Sequence, residues 1–178
     1  MIGSEPQRGE PIVLIYLVRH AIAEDRELRA DLPDEERRLT DKGVRRMRRA
    51  VEGLAAMEVE VDTIWTSPLR RAKETAELLA ELPTFDGDIK EVRDLEPGGD
   101  LNGVIKRLIG AGNGLRVALV GHEPDMSMLM MRLIGGAEED GVRFKKGAVA
   151  CLEFDGDRAP PRAELQWFIA PKQLRQIA

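Results

Sequence analysis

Short apolar runs rich in β-branched residues alternate along this chain with segments whose apolar residues recur at helical spacing. That alternation constrains the fold more than any other feature, because strands separated by helices are the pattern of a largely parallel sheet covered on both faces. Ile12–Val18 reads as a fully buried strand. Asp62–Thr66, Ile89–Val92 and Leu115–Val120 read as further strands, and Gly147–Phe154 and Ala163–Ile169 as two late ones joined by an Asp155-Gly156 turn. Between them, Thr40 caps a predicted helix to about Met57, with Val44, Met47, Val51 and Leu54 on one stripe. Ser67-Pro68 reads as an N-cap hydroxyl followed by proline at the first helical position, opening a helix to about Leu82. Asp100 caps another to about Ile109, and Glu123-Pro124 opens one rich in methionine, which reads as core filling. The expected fold class is α/β: a three-layer α/β/α sandwich, its sheet mostly parallel, with the last two strands as an antiparallel hairpin at one edge.

A chain of 178 residues suits one domain, with residues 1–10 as a loose, disordered tail and 11–178 as the folded unit. A net charge of −5 argues against a general nucleic-acid binder. The apolar stretch Pro11–Val18 is far shorter than the ~20 residues of a membrane-crossing helix, and the polar start has no basic signal-peptide region, so a cytoplasmic home is expected. A single cysteine, Cys151, excludes an intramolecular disulfide framework and reads as a core residue within Ala150-Cys151-Leu152. The arginines of the helix after Thr40 (Arg45, Arg46, Arg48, Arg49) have acids nearby and read as a solvated face.

The chain has two histidines, and both follow buried strands. His20 ends the first run and His122 follows Leu115–Val120; in open α/β sheets, sites form outside the carboxyl ends of the strands. Arg19 precedes His20, and Arg71 lies one turn into the helix opened by Ser67-Pro68. Two histidines and two arginines at one mouth suit a phosphoryl group. Guanidinium forks grip phosphate oxygens, helix N-termini add donors, and neutral imidazole is a competent nucleophile toward phosphorus.

These residues carry a resemblance. Leu17-Val18-Arg19-His20-Ala21 is similar to the Arg-His-Gly signature of the histidine phosphatase superfamily, which includes the cofactor-dependent phosphoglycerate mutases. Arg38-Leu39-Thr40-Asp41-Lys42-Gly43 resembles its next motif, R-x-L-T-x-x-G. Ser67-Pro68-Leu69-Arg70-Arg71-Ala72-Lys73-Glu74-Thr75-Ala76 resembles S-P-x-x-R-A-x-x-T-A, and Gly121-His122-Glu123-Pro124 resembles G-H-x-P. Short connections, Lys146-Gly147-Ala148-Val149-Ala150 and the ending Trp167-Phe168-Ile169-Ala170-Pro171 make the small SixA-type phosphohistidine phosphatases the most similar branch.

The resemblance implies a phosphoglycerate mutase-like fold and a set of roles. His20 would be the nucleophile that carries a transient phosphoryl group. Arg19 and Arg71 would grip its oxygens, and His122 would donate a hydrogen bond to it. No metal or other cofactor is implied, since the arginines supply the positive charge. The substrate would be a phosphorylated protein, such as a histidine phosphotransfer domain, or a small phosphorylated molecule. Ala21 stands where the family has glycine, and alanine disfavours positive φ. The general acid stays open between Glu96 and Glu24, and phosphohistidine hydrolysis need not have one, because a protonated imidazole is a good leaving group. A broad phosphomonoesterase and a non-catalytic phosphate- or phosphoprotein-binding module are the other readings. A metal hydrolase is disfavoured by the lack of an H-E-x-x-H or clustered Asp/His pattern. Oligomeric state is open.

Overall fold

The computed structural model describes residues 12–28, 32–112, 114–137, 141–156 and 161–178, and of Ile12 the backbone alone. The tail expected at residues 1–10 lies outside the described residues. Six strands and five helices follow in the order β1 (Ile12–Arg19), α1 (Asp41–Ala56), β2 (Thr63–Thr66), α2 (Arg70–Leu79), β3 (Asp88–Glu91), α3 (Leu101–Gly110), β4 (Arg116–Gly121), α4 (Asp125–Ile134), β5 (Val149–Asp155), β6 (Arg162–Ile169) and α5 (Pro171–Ile177). The strands form one sheet in the order β3-β2-β4-β1-β5-β6. The β3-β2-β4-β1 portion is parallel, and β5 and β6 pair antiparallel, as the alternation predicts.

Each helix buries its stripe against one sheet face. Met47, Val51 and Leu54 of α1, Ala72, Ala76 and Leu79 of α2 and Leu174 of α5 pack with Val18, Ile64 and Val120. On the opposite face, Val104 and Leu108 of α3 and Met126, Leu129 and Met130 of α4 pack with Ile15, Leu17, Val117 and Leu119. This is the three-layer α/β/α sandwich. β1 and β4 contribute to both clusters because a strand covered on both faces buries its odd and even residues alike. Cys151 is buried in the core, and burial followed by the charge of Glu153 pushes its thiol up to about 11.

Local capping agrees with the sequence at two helices and departs from it at a third. Thr40 accepts from the Gly43 amide at the start of α1, and Asp100 accepts from Asn102 at the start of α3. Helix α2, in contrast, begins at Arg70 rather than at Pro68, and its N-cap, Leu69, supplies no side-chain bond. The Ser67 hydroxyl accepts weakly from Leu69 N at 3.3 Å and lies 2.9 Å from His122 Nε2. The hydroxyl is thus directed at a histidine rather than spent on capping. The connection from β5 to β6 is longer than the two-residue turn expected at Asp155-Gly156, since β6 starts at Arg162. Helix α5 was not expected from the sequence; it is a seven-residue segment with proline at its start. Among the described residues, no helix is long and apolar enough to cross a membrane.

Candidate active site

The register of the three central parallel strands brings the site together. Arg19 at the end of β1 is the register partner of Gly121 at the end of β4, and the His20 amide donates to the Gly121 carbonyl at 3.0 Å. Thr66 of β2 pairs with Val120, and the Ser67 amide donates to the Val120 carbonyl at 3.0 Å. Ser67, His122 and His20 therefore emerge side by side from adjacent strands, although they are far apart in sequence. The two imidazole centroids lie 5.1 Å apart with planes tilted by 52°.

A carbonyl partner assigns the tautomer of His20. His20 Nδ1 sits 2.7 Å from the Ala21 carbonyl oxygen, which can only accept, so Nδ1 carries the proton and Nε2 keeps its lone pair. The Ser67 hydroxyl accepts from Leu69 N and can still either donate to His122 Nε2 or accept from it; when it donates, the His122 proton lies on Nδ1. That Nδ1 is buried and has no partner.

Burial is the largest influence on both rings. It lowers His20 to about 2, with His122, Arg71 and Arg19 adding repulsion against the Ala21 carbonyl. It lowers His122 to about 3, with Arg71 ahead of Arg19 as a further cause. Both rings are neutral at neutral pH. Desolvation is the larger cause, and the neighbouring arginines act in the same direction.

The turn after His20 is tied to the arginine helix by one hydroxyl. Thr75 Oγ1 donates to the Arg71 carbonyl at 2.6 Å and accepts from the Ala21 amide at 3.0 Å. Ala21 is buried and has no positive φ, the only described non-glycine residue with one being Glu58; alanine is therefore compatible with this turn. Gly43 is needed for a different reason, since a Cβ there would lie 2.1 Å from the Ile22 carbonyl oxygen. The backbone leaving the site thus packs directly on α1.

Arg19 and Arg71 are held in different ways. Arg19 Nη1 donates to the Phe144 carbonyl at 2.6 Å, and the Phe144 amide donates to Glu123 Oε1 at 2.6 Å. Glu123 also accepts from the Ser127 hydroxyl, so the residue after His122 fixes the segment that holds Arg19. Arg71 donates from Nη1 to the Asp34 carbonyl at 2.7 Å and from Nη2 to its carboxylate at 3.0 Å. Burial lowers both guanidinium groups, while Glu123 pulls Arg19 back up and Asp34 does so for Arg71; both remain cations. Burial alone would raise the Asp34 carboxyl, but Arg71 and Arg37 together hold it below the usual range.

All four expected site residues converge, and two further ones were not foreseen. The charged, proline-containing stretch between β1 and α1 carries a 3-10 turn at Asp34–Glu36 that delivers Asp34 to Arg71. Arg37 donates to Asp34 Oδ1 at 2.9 Å and to the Glu24 carbonyl at 2.7 Å. The spacing R-x-L-T-x-x-G, counted back from Gly43, starts at Arg37 rather than Arg38, and that count was the available signal. The acid candidates separate. Glu24 Oε1 accepts from Arg38 at 3.0 Å and fastens the connection. Glu96 lines a cavity of about 920 Å³ together with Asp34, Pro68 and Leu69. Arg19 and Ala21, the residues on either side of His20, line a second cavity. Among the described residues, no group of three or more His, Cys, Asp or Glu side chains is arranged to hold a metal ion.

Three buried side-chain nitrogens in the described structure lack a partner: Arg19 Nε and Arg71 Nε, which are donors, and His122 Nδ1, a donor in the tautomer whose Nε2 accepts from Ser67. All belong to this one site. Buried donors are costly to leave unpaired. Two cationic donors and a neutral N–H beside an imidazole lone pair make a pocket suited to the oxygens of a tetrahedral anion.

Comparison with known proteins agrees with this geometry. The family model for the histidine phosphatase superfamily (branch 1) matches residues 15–95. An uncharacterized protein of Picosynechococcus sp. (strain ATCC 27264 / PCC 7002 / PR-6) is 31% identical over 165 residues, covering 90% of this chain and 98% of the relative. The solved structure of the protein histidine phosphatase SixA complexed with tungstate superposes with a TM-score of 0.80 at 26% identity, covering 90% of this chain and 99% of that one. Phosphoglycerate mutase from Plasmodium falciparum shares the fold, with a TM-score of 0.65 at 17% identity over 89% of this chain and 91% of that one.

Proposed function

The chain belongs to the histidine phosphatase superfamily and is a SixA-like phosphatase; from that premise we propose that it hydrolyses phosphohistidine on a protein, through a covalent phosphohistidine formed on His20. The observation that supports this reading most is the set of three unpartnered buried nitrogens around a histidine whose tautomer leaves the Nε2 lone pair free.

In the first step His20 Nε2 attacks phosphorus in line, and the P–N bond to the substrate imidazole breaks as its electron pair returns to that ring. Arg19, Arg71 and His122 Nδ1–H hold the three equatorial oxygens and stabilise the charge that spreads over them. In the second step water attacks the phosphorus on His20, inorganic phosphate leaves, and the ring recovers its lone pair. The leaving imidazole takes its proton from water or arrives protonated, so this substrate has no need of a strong protein acid. A histidine phosphotransfer domain is the class of protein substrate that fits, in a cytoplasmic setting.

A broad phosphomonoesterase is the second reading, favoured by Glu96 and Asp34 lining the large cavity beside Pro68 and Leu69. An alkoxide leaving group needs a proton, and the Glu96 carboxyl would supply it, since Arg71 and Arg37 keep Asp34 ionised. The experiment that separates the two compares turnover of a phosphohistidine protein, phosphohistidine amide and small phosphate monoesters. Faster turnover of the phosphohistidine substrates, with label from the substrate on His20 under acid-free quenching, is expected. Label on Ser67 or Cys151, or near wild-type turnover by His20→Ala, would overturn the proposed intermediate.

A further inference from the structure

A cavity of about 510 Å³ opens beside the phosphoryl site, where α1, the turn before β5 and the start of α5 meet. Six of its lining side chains are cations, Arg19, Arg46, Lys145, Lys146, Lys172 and Arg175, and none is an acid. The chain as a whole carries a net charge of −5, so this concentration runs against its own balance. Neighbouring arginines elsewhere behave differently: Arg48 pairs with Glu81 and Arg49 with Glu52. The five cations other than Arg19 form no ion pair with a described residue, and Arg46, exposed like its neighbours on α1, lines this wall.

Like charges gathered in a recess repel one another, and the local electrostatics bear that out. Burial and then Arg19 and Arg37 lower the Lys146 ammonium; burial and then Arg46 lower the Arg175 guanidinium. A multiply charged anion relieves this repulsion on binding. Met47 and Ala50 give the recess an apolar floor that accepts a carbon skeleton. Arg19 lies on the wall of this cavity and also carries one of the unpartnered donors of the phosphoryl site.

We propose that this cavity is a second anion subsite, which takes a further phosphate or carboxylate group of a small ligand whose first phosphoryl group sits between Arg19 and Arg71. The proposal rests on the phosphatase reading for the identity of the first subsite. It bears on the second of the two substrate readings: among small phosphorylated molecules, those that carry another acidic group are favoured over neutral ones.

The test is calorimetric binding of orthophosphate and tripolyphosphate to the full chain at low salt. The wild type is set against Arg46→Glu/Lys172→Glu and against Arg45→Glu/Lys106→Glu, which makes the same charge change outside the cavity. Orthophosphate reports the first subsite, and the ratio of the two affinities reports the second. Wild-type protein is expected to prefer tripolyphosphate by about 30-fold or more, and the cavity variant to lose about tenfold of that ratio while its orthophosphate affinity stays within about threefold. Arg46→Ala/Lys172→Ala, a milder change at two exposed side chains, is expected to lose about threefold. An unchanged ratio in both cavity variants, or an equal loss in the control, would overturn the subsite. A full tripolyphosphate preference with no turnover of any phosphorylated substrate would leave the subsite standing and remove the phosphatase reading instead.

Discussion

The Asp34 carboxylate occupies one arm of the guanidinium fork that the proposed chemistry assigns to a phosphoryl oxygen, and its removal should tighten phosphate binding. In Asp34→Asn the Arg71 Nη1 bond to the backbone carbonyl survives, so the arginine stays in place. What disappears is one negative charge, lying 3.0 Å from Nη2. A phosphate received by the same fork would sit roughly 6 Å from that charge. Coulomb repulsion is then about 0.7 kcal/mol per unit of phosphate charge in water, and about 3 kcal/mol at the effective dielectric of a protein surface. The Asp34 side chain is 30% exposed, which argues for the screened end of that range. A net gain of about 1 kcal/mol corresponds to about fivefold tighter phosphate. Calorimetric titration with orthophosphate at neutral pH reads this directly. Equal or weaker affinity in Asp34→Asn would refute the claim that Asp34 and phosphate compete for Arg71, and would make Asp34 a support for the arginine instead.

Three other outcomes follow from the same contacts. His20→Ala is expected to abolish turnover yet retain phosphate binding, because Arg19, Arg71 and His122 all remain; rapid-quench kinetics and calorimetry on one preparation check both halves. Glu123→Ala frees the Phe144 amide and, through it, the carbonyl that holds Arg19, so kcat/KM should fall about tenfold with a stability loss of about 1–2 kcal/mol, read by steady-state kinetics and urea unfolding. Both histidines titrate lower in the folded chain than their ordinary 6.5, so the unfolded chain binds the extra protons. Their contribution is fully present above pH ~6.5 and is lost as pH falls toward 3, with a slope approaching about 2.7 kcal/mol per pH unit for two protons. Urea unfolding from pH 7 to pH 5 should show this slope, and His20→Ala/His122→Ala should flatten it. The histidines' neutrality also means that any acid limb of turnover near pH 6 would have to come from another group.

Much of this arrangement is legible in the sequence because a few strong local signals agree with one another. The buried strands β1 and β4 are apolar on both faces, so the periodicity of Ile12–Val18 and Leu115–Val120 places the histidines at strand ends without knowledge of the tertiary structure. Thr40 and Asp100 cap where they stand because little competes for their oxygens. Ser67 misleads because its partner, His122, comes from a strand whose adjacency to β2 no local pattern reveals. Asp34 was hidden for a related reason: a charged, proline-containing stretch looks solvated until Arg71, itself buried, needs a counter-charge. The basic cavity could not be read either, since its cations come from α1, the segment before β5 and the unexpected helix α5.

The place of β1 in the sheet has a consequence for how the chain is made. Among the described residues, the earliest strand in chain order, β1, lies between β4 and β5, both about a hundred or more residues downstream. Until those strands emerge, Val13–Val18 lacks both of its hydrogen-bonding neighbours, and only the face that meets α1 and α2 can find an apolar cover. Local contacts therefore cannot complete this domain in stages; the nascent chain must wait, with its most apolar strand unpaired, for nearly its whole length. Chains arrested before Arg116 should remain protease-sensitive and draw on holding chaperones. Release should convert them in one cooperative event, because the pairing that ends the wait is also the one that sets His20 beside His122.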